Sequence, residues 1–250
     1  MIELLTADTP NGKKISIMLE EIKFDYKVTK INLYKDGGYV LIRPSLQSWS
    51  LLRLPIYKFR PSQADPLHFD LWHKGLNLLR DSGTYSYNSS EQDLKYFSSI
   101  RSHNTIQFDE KEPMPKLSRF LWGDWLEIES FRILNSTEYS ASYRCSHGRH
   151  QRHVKVNRKS QKWIVTDNVS CYKKNVVVRW RLYPMLWEIN ENTISSKLAS
   201  LEIVADKDID YFNLVMGSES LFYNEKSNLP VLEVKLTNYP STITTTITLK

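Results

Sequence analysis

Asp81, Tyr85, Tyr87 and His103 are the residues of this chain whose types and spacing suggest chemistry. They lie in one stretch, DPLHFDLWHKGLNLLRDSGTYSYNSSEQDLKYFSSIRSHNTIQFD, from Asp65 to Asp109. A carboxylate, two phenols and an imidazole can serve as acid, base or ligand. Asn88 and Asn104 add neutral hydrogen-bonding partners, and Arg60, Gln63 and Arg101 flank the set. These groups meet only if the stretch folds back on itself. His68 to Leu71 alternates like a strand, Lys74-Gly75 reads as a turn, and Leu76 to Leu79 is a second apolar run, which together predict a β-hairpin. Ser82-Gly83 then turns the chain into the tyrosine-bearing segment. Asn88 to Asp93 reads as a polar loop, and a third strand is expected through His103 to Phe108. The side chains then converge at neighbouring strand ends on a carbohydrate or a metal ion.

The blocks RPSQAD, HFDLW, LLRDSGTYSYN, SHNTIQFD and MPKLSRFLWGDW carry a resemblance. They are similar to the C-terminal β-sandwich domain of heparinase II/III-like proteins, a polysaccharide lyase group, from about Gly38 to the end. The resemblance implies a mainly β protein built as an antiparallel sandwich. It also implies a zinc site, with Asp81 and His103 at matching ligand positions. Gln63 stands where the family's zinc histidine is expected, and Pro61 where the family places a catalytically relevant histidine. Zinc prefers nitrogen and sulfur donors, and an amide replaces imidazole poorly. Two arrangements stay open: zinc held by Asp81 and His103, or a hydrogen-bonded network of Gln63, Asp81 and His103 that pins the loop ends.

Lyases acting on uronates remove the acidic C5 proton and expel the 4-linked sugar by β-elimination. The carboxylate must be neutralised, and a tyrosine or histidine then serves as base and acid. The candidate catalytic residues are therefore Tyr85, Tyr87 and His103, with Arg60, Gln63, Asn88, Arg101 and Asn104 binding substrate. A tyrosine near its ordinary pKa of about 10 needs a positive neighbour to act as base, and Arg60, Arg80 or Arg101 is expected to supply it. In the family most catalytic residues come from an α/α-toroid domain ahead of the sandwich. A toroid on another chain is thus an implied partner, and a non-catalytic carbohydrate-binding module is the alternative.

Composition agrees with a folded domain that meets anions. Of the residues 41% are hydrophobic, 25% charged and 12% aromatic, and the formal charge is +6. Surplus aromatics suit either a sugar-binding surface or a large β core. No apolar run approaches a membrane helix, so no membrane partner is expected. Residues 1–14, MIELLTADTPNGKK, lack the order of a secretory signal, which predicts a cytoplasmic chain; the lyase resemblance implies the periplasm or cell envelope instead.

The first 36 residues read differently from the rest. ELLTADTPNGKKISIMLEEIKFDYKVTKINL has a β-α-β pattern and resembles the start of the thioredoxin-like domain of glutathione S-transferases, with Thr9 and Asn11 at the polar turn near the glutathione sulfur. The likeness stops near Lys35, and Asp36-Gly37-Gly38 reads as a flexible junction, giving domains 1–36 and 37–250. Beyond it, strands are expected at Tyr39–Arg43, Trp49–Leu54, Arg119–Leu134 (a long pair), Thr137–Cys145, His153–Val156, Trp163–Val165, Val176–Leu182, Leu201–Val204, Leu221–Tyr223, Val231–Leu236 and Thr242–Leu249, with almost no helix.

The segment RCSHGRHQRHVKVNRKSQK, residues 144–162, forms a basic hairpin suited to sulfated or uronate chains and equally to a phosphate backbone. The resemblance favours an acidic polysaccharide over nucleic acid. Cys145 and Cys171 read as a reduced, buried pair, with neighbours across strands as the alternative.

Overall fold

The computed structural model describes residues 31–237 and 239–250. The β-α-β reading of the N-terminal segment therefore lies largely outside the described residues. The described chain is a sandwich of antiparallel sheets, as the sequence predicts. One layer is an eight-stranded sheet, in the order β14 (Glu188–Asn190), β15 (Thr193–Ser195), β16 (Ala199–Ala205), β19 (Ser241–Leu249), β12 (Lys162–Ser170), β11 (Gly148–Asn157), β10 (Glu138–Cys145) and β9 (Ile128–Asn135). Opposite it lie a five-stranded and a four-stranded sheet. The five run from β1 (Ile31–Tyr34) through β2 (Tyr39–Ile42), β3 (Ser48–Arg53) and β4 (Phe69–His73) to β5 (Leu76–Leu79). The four are β17 (Tyr211–Glu219), β18 (Ser227–Leu236), β13 (Val176–Arg181) and β6 (Ile106–Phe108). A bridge between Leu79 and Leu182 and the bond from Arg80 N–H to the Arg181 carbonyl (3.0 Å) join these two sheets edge to edge.

Alternation explains the layers. On β19 every second residue, Ser241, Ile243, Thr245, Ile247 and Leu249, is buried, while the threonines between them are half-buried. Phe69 marks the centre of the core. Its ring meets Trp163 of the large sheet at 6.1 Å and Trp180 of the four-stranded sheet at 6.2 Å, both edge-on.

Several expectations need correction. Residues 35–38 are no domain junction: they turn β1 into β2, which pair from Tyr34↔Tyr39 to Ile31↔Ile42, so Ile31–Tyr34 belongs to the sandwich. Glu91–Ser98 is a helix, α1, because Ser90 accepts the Asp93 N–H at 3.1 Å and caps its first turn. The long pair expected over residues 119–134 is instead a two-stranded hairpin, β7 (Lys116–Ser118) with β8 (Leu121–Trp122), followed by β9. Residues 221–223 form no strand. Cys145 and Cys171 are both free, as the sequence predicts, but half-buried and exposed rather than buried.

The inward faces of β11 and β12 carry a charged group where apolar residues would be expected. Arg152 and Asp167 are fully buried and joined by two bonds, Nε to Oδ1 at 2.7 Å and Nη2 to Oδ2 at 2.9 Å. His150 Nε2 reaches the same Oδ1 at 2.7 Å. The second arm of the fork crosses the sandwich: Arg152 Nη1 donates to the carbonyls of Leu67 (2.7 Å) and Asn104 (2.6 Å). Removing one member of a buried pair strands the other charge, at a cost of about 3–5 kcal/mol. Arg152→Met is therefore expected to lose stability of that order in chemical denaturation; a loss below about 1 kcal/mol would contradict the assignment.

Acid should weaken the same cluster. Burial lowers the His150 pKa despite Asp167 beside it. Burial raises that of Asp167, but Arg152 and His150 outweigh it and leave the carboxyl at about 2. A histidine held below its ordinary value favours folding above about pH 6.5 and forfeits that contribution as pH falls. The depressed carboxylate keeps its contribution above about pH 4 and loses it toward pH 2. Denaturation midpoints should thus fall in two steps on acidification, with the upper step smaller in His150→Gln; a stability that rises between about pH 7 and 5 would refute this.

Candidate functional site at the Asp81–His103 corner

Asp81 stands two residues past the end of β5. Its Oδ1 accepts the Gly83 N–H at 2.6 Å, which closes a tight turn, and its Oδ2 accepts from His103 Nδ1 at 2.7 Å. Only glycine fits at position 83: its φ is +77°, and a Cβ would lie 2.1 Å from the Ser220 carbonyl oxygen. The Ser220 N–H donates to the Ser82 carbonyl at 2.7 Å, so the Asp81 turn is tied to the segment after β17.

His103 follows a single 3-10 turn, Ile100–Ser102, and is fully buried. Its ring meets His68 edge-on, with centroids 5.4 Å apart. His68 Nδ1 accepts the Asn104 N–H at 2.9 Å. In the neutral ring the proton therefore sits on Nε2, which faces Asp70 Oδ1 at 3.3 Å and Asp81 Oδ2 at 3.9 Å. His68 is absent from the sequence-based site, yet a signal existed. Counting outward from the turn Lys74-Gly75 brings the start of β4 opposite the residues that follow β5.

One ligand atom from each of His68, Asp81 and His103 lies within 4.8 Å of the other two, compact enough to enclose an ion. The Nε2 atoms of both histidines are buried without a hydrogen-bond partner among the described residues. The donor types suit zinc with an open fourth position. The spacing does not. At 2.7 Å, His103 Nδ1 and Asp81 Oδ2 share a proton rather than flank an ion, and His68 Nε2 has no lone pair to give while Nδ1 accepts the Asn104 N–H. As arranged, one hydrogen bond joins His103 to Asp81, and His68 Nε2 stands 3.9 Å from the same carboxylate.

The remaining sequence-selected residues divide into buried struts and exposed loops. The Asn104 side chain is enclosed: Nδ2 donates to the Phe69 carbonyl (2.9 Å), and Oδ1 accepts the Arg181 N–H (2.6 Å), which leaves it holding backbone rather than substrate. Gln63 Nε2 donates to the carbonyls of Gly83 (3.0 Å) and Phe97 (3.3 Å), so it supports the Asp81 turn from behind. His103 has its second nitrogen buried, out of reach of a sugar C5 proton. Tyr85, at φ +64°, stacks on Phe97 at 5.3 Å and lies under Lys226 Nζ at 5.3 Å. That lysine, not Arg60, Arg80 or Arg101, is the cation beside it. Arg80 is spent on Glu219, and the exposed Arg101 points toward Glu233 at 4.0 Å. Tyr87 and Asn88 are exposed on the loop after Tyr85, and Arg60 is exposed beside Phe120 at 5.9 Å.

The basic hairpin is corrected in the same way. His150 and Arg152 point inward, Arg149 Nε binds Glu129 at 2.7 Å, and His153 Nε2 binds Glu138 at 2.8 Å. Much of its charge is already neutralised within the fold.

The family profile described as heparinase II/III-like, C-terminal, matches residues 28–229. The chain belongs to this family. Its heparinase II/III-like fold is shared with the heparinase III BT4657 gene product, which has a TM-score of 0.73 at 15% identity over 96% of this chain and 40% of that one. It is also shared with heparan sulfate lyase HepC from Pedobacter heparinus, with a TM-score of 0.70 at 17% identity over 98% of this chain and 43% of that one. The chain thus spans about two-fifths of these solved structures. A stretch of 39 residues is 49% identical to disulfide-bond oxidoreductase YfcG of Escherichia coli (strain K12), covering 16% of this chain and 18% of that protein. No helix among the described residues is long and apolar enough to cross a membrane.

Because a hydrogen bond already joins His103 to Asp81 and His68 Nδ1 is taken by the Asn104 N–H, purified protein should carry well under one equivalent of zinc by elemental analysis. A full equivalent that disappears in both Asp81→Asn and His68→Ala would show that the corner rearranges around a metal.

Proposed function

We propose that this heparinase II/III-like chain binds an acidic, uronate-containing polysaccharide, and that it does so through the loops around the Asp81 corner. The observation that carries this reading is the contrast between a buried, hydrogen-bonded corner and the exposed side chains around it. Tyr87, Asn88 and Arg60 stand at the surface, while Asp81, Gln63, His103 and Asn104 fix the backbone beneath or beside them. Membership of a polysaccharide lyase family supplies the ligand class, and the +6 charge agrees with an anionic one.

Eliminative cleavage asks for more. A base must take the C5 proton while the C5–H electrons form the C4–C5 double bond and the C4–O bond breaks, with a proton delivered to the leaving oxygen. Of the three residues expected to do this, only Tyr87 exposes its side chain widely. On this reading the chain recognises the glycan, and turnover needs groups from a further domain, such as a toroid on another chain. The chain alone should retain heparan sulfate or alginate in affinity electrophoresis and yield no unsaturated uronate product in an ultraviolet assay. Absence of binding to every acidic glycan would overturn the proposal; product formation by the chain alone would overturn the division between recognition and turnover.

A glutathione-linked role rests on the short match to the YfcG oxidoreductase alone. Retention on immobilised glutathione would favour it.

A further inference from the structure

Three aromatic side chains from remote parts of the sequence form an exposed row next to the Asp81 loop. Tyr87 belongs to that loop, Phe120 to the tip of the β7–β8 hairpin, and Tyr223 to the segment between β17 and β18. Their exposures are 61%, 46% and 59%. The Tyr87 centroid lies 6.5 Å from that of Phe120 and 6.0 Å from that of Tyr223, with the ring planes tilted by 59° and 40°. Rings packed for their own sake would turn these faces inward. The row is also fixed in place, since the Tyr223 hydroxyl accepts from the Tyr87 N–H and contacts Ser86 Oγ, each at 3.4 Å.

Two cations border this row. The Arg60 guanidinium lies 5.9 Å and that of Arg119 5.7 Å from the Phe120 ring. Among the described residues neither has a carboxylate within ion-pairing distance, unlike Arg149 on the basic hairpin, which is taken by Glu129. Available positive charge therefore coincides with available aromatic surface.

We infer that Tyr223, Tyr87 and Phe120 form a stacking platform for successive sugar units of an acidic polysaccharide, with Arg60 and Arg119 taking the acid groups of the chain. The inference rests on the proposed glycan-binding role and adds where the ligand lies and what Tyr87 does. The ring spacings are of the order of one sugar unit, so consecutive pyranose C–H faces can each meet a ring. The tilt between rings suits a twisting chain better than a flat sheet. Arginine forks then match carboxylate or sulfate groups bidentately and discriminate against neutral glucans. In this arrangement Tyr87 works through its ring face, and its hydroxyl is dispensable.

The test uses the full chain with heparan sulfate and alginate as anionic probes and dextran as a neutral one, read by calorimetry. Tyr87→Ala and Phe120→Ala should each weaken binding about tenfold, equivalent to ~1.4 kcal/mol. Tyr87→Phe should bind like the parent. Arg60→Gln with Arg119→Gln should lower the preference for anionic over neutral chains and flatten its dependence on salt. Tyr211→Ala, an exposed ring at the far end of β17, should change nothing. All these side chains are exposed, and an unchanged melting temperature confirms that each variant folds. Binding that survives both ring-to-alanine changes while the parent binds would sink the platform and leave the broader proposal standing. Failure of the parent to bind either anionic probe would sink both. Tighter binding of a single-stranded oligothymidylate than of either glycan, or conversion of a dimer to a monomer by Phe120→Ala with glycan binding unchanged, would also overturn the platform.

Discussion

The Arg152 guanidinium is the point on which the rest of this structure turns. It starts on β11 of the large sheet, pairs with Asp167 on the neighbouring strand, and reaches the carbonyls of Leu67 and Asn104 in the opposite layer. Those carbonyls adjoin His68 and His103. A single buried cation thus sets the backbone on both sides of the histidine pair. Leu67 also holds a positive φ of 54°, uncommon for a branched side chain, and such geometry persists where surrounding bonds over-determine it. The Leu67 N–H donates to the Arg53 carbonyl at 2.8 Å, so the residue is fixed from both sides.

Around this cation the sandwich gathers other buried polar groups, bonded to backbone or to one another. Thr105 Oγ1 donates to the Pro66 carbonyl at 2.6 Å, and Arg181 reaches the Tyr96 hydroxyl (2.9 Å) and the Ser218 carbonyl (2.5 Å). Arg80 closes the opposite edge on Glu219 with contacts of 3.0 and 2.9 Å. Hydrogen-bonded networks of this kind rigidify a core. The consequence is a stiff corner under exposed loops, the arrangement in which a scaffold positions binding side chains. Gln63 fits such a corner: its amide supports two carbonyls, a role that asks for a donor.

Much of the fold could be read from the sequence because alternation and turn residues are local signals. The hairpin around Lys74-Gly75 and the pairing of Val154 with Val165 follow from patterns a few residues long. Helix α1 was legible too, through Ser90 followed by Asp93, a capping pattern hidden behind the polar reading of that loop. The β1–β2 turn was misread because Asp-Gly-Gly serves a hairpin as well as a linker. Within the site, Asp81 and His103 came from a motif and do meet. His68 depended on hairpin register, and Arg152 on which face of β11 turns inward. In a basic run that face cannot be told until the neighbouring Asp167 is seen to share it. The platform was least legible, since Tyr87, Phe120 and Tyr223 meet only through tertiary structure.

The central claim is that a buried ion pair fixes the two histidines so that a proton, not a metal, joins His103 to Asp81 while His68 presents no lone pair to them. Long-range proton–nitrogen NMR of the imidazole rings tests it most directly. The account predicts His103 protonated on Nδ1 and His68 on Nε2, with both signals unmoved by added zinc or by a chelator. Zinc-dependent shifts at a nitrogen of both rings, or a proton on His68 Nδ1, would contradict it.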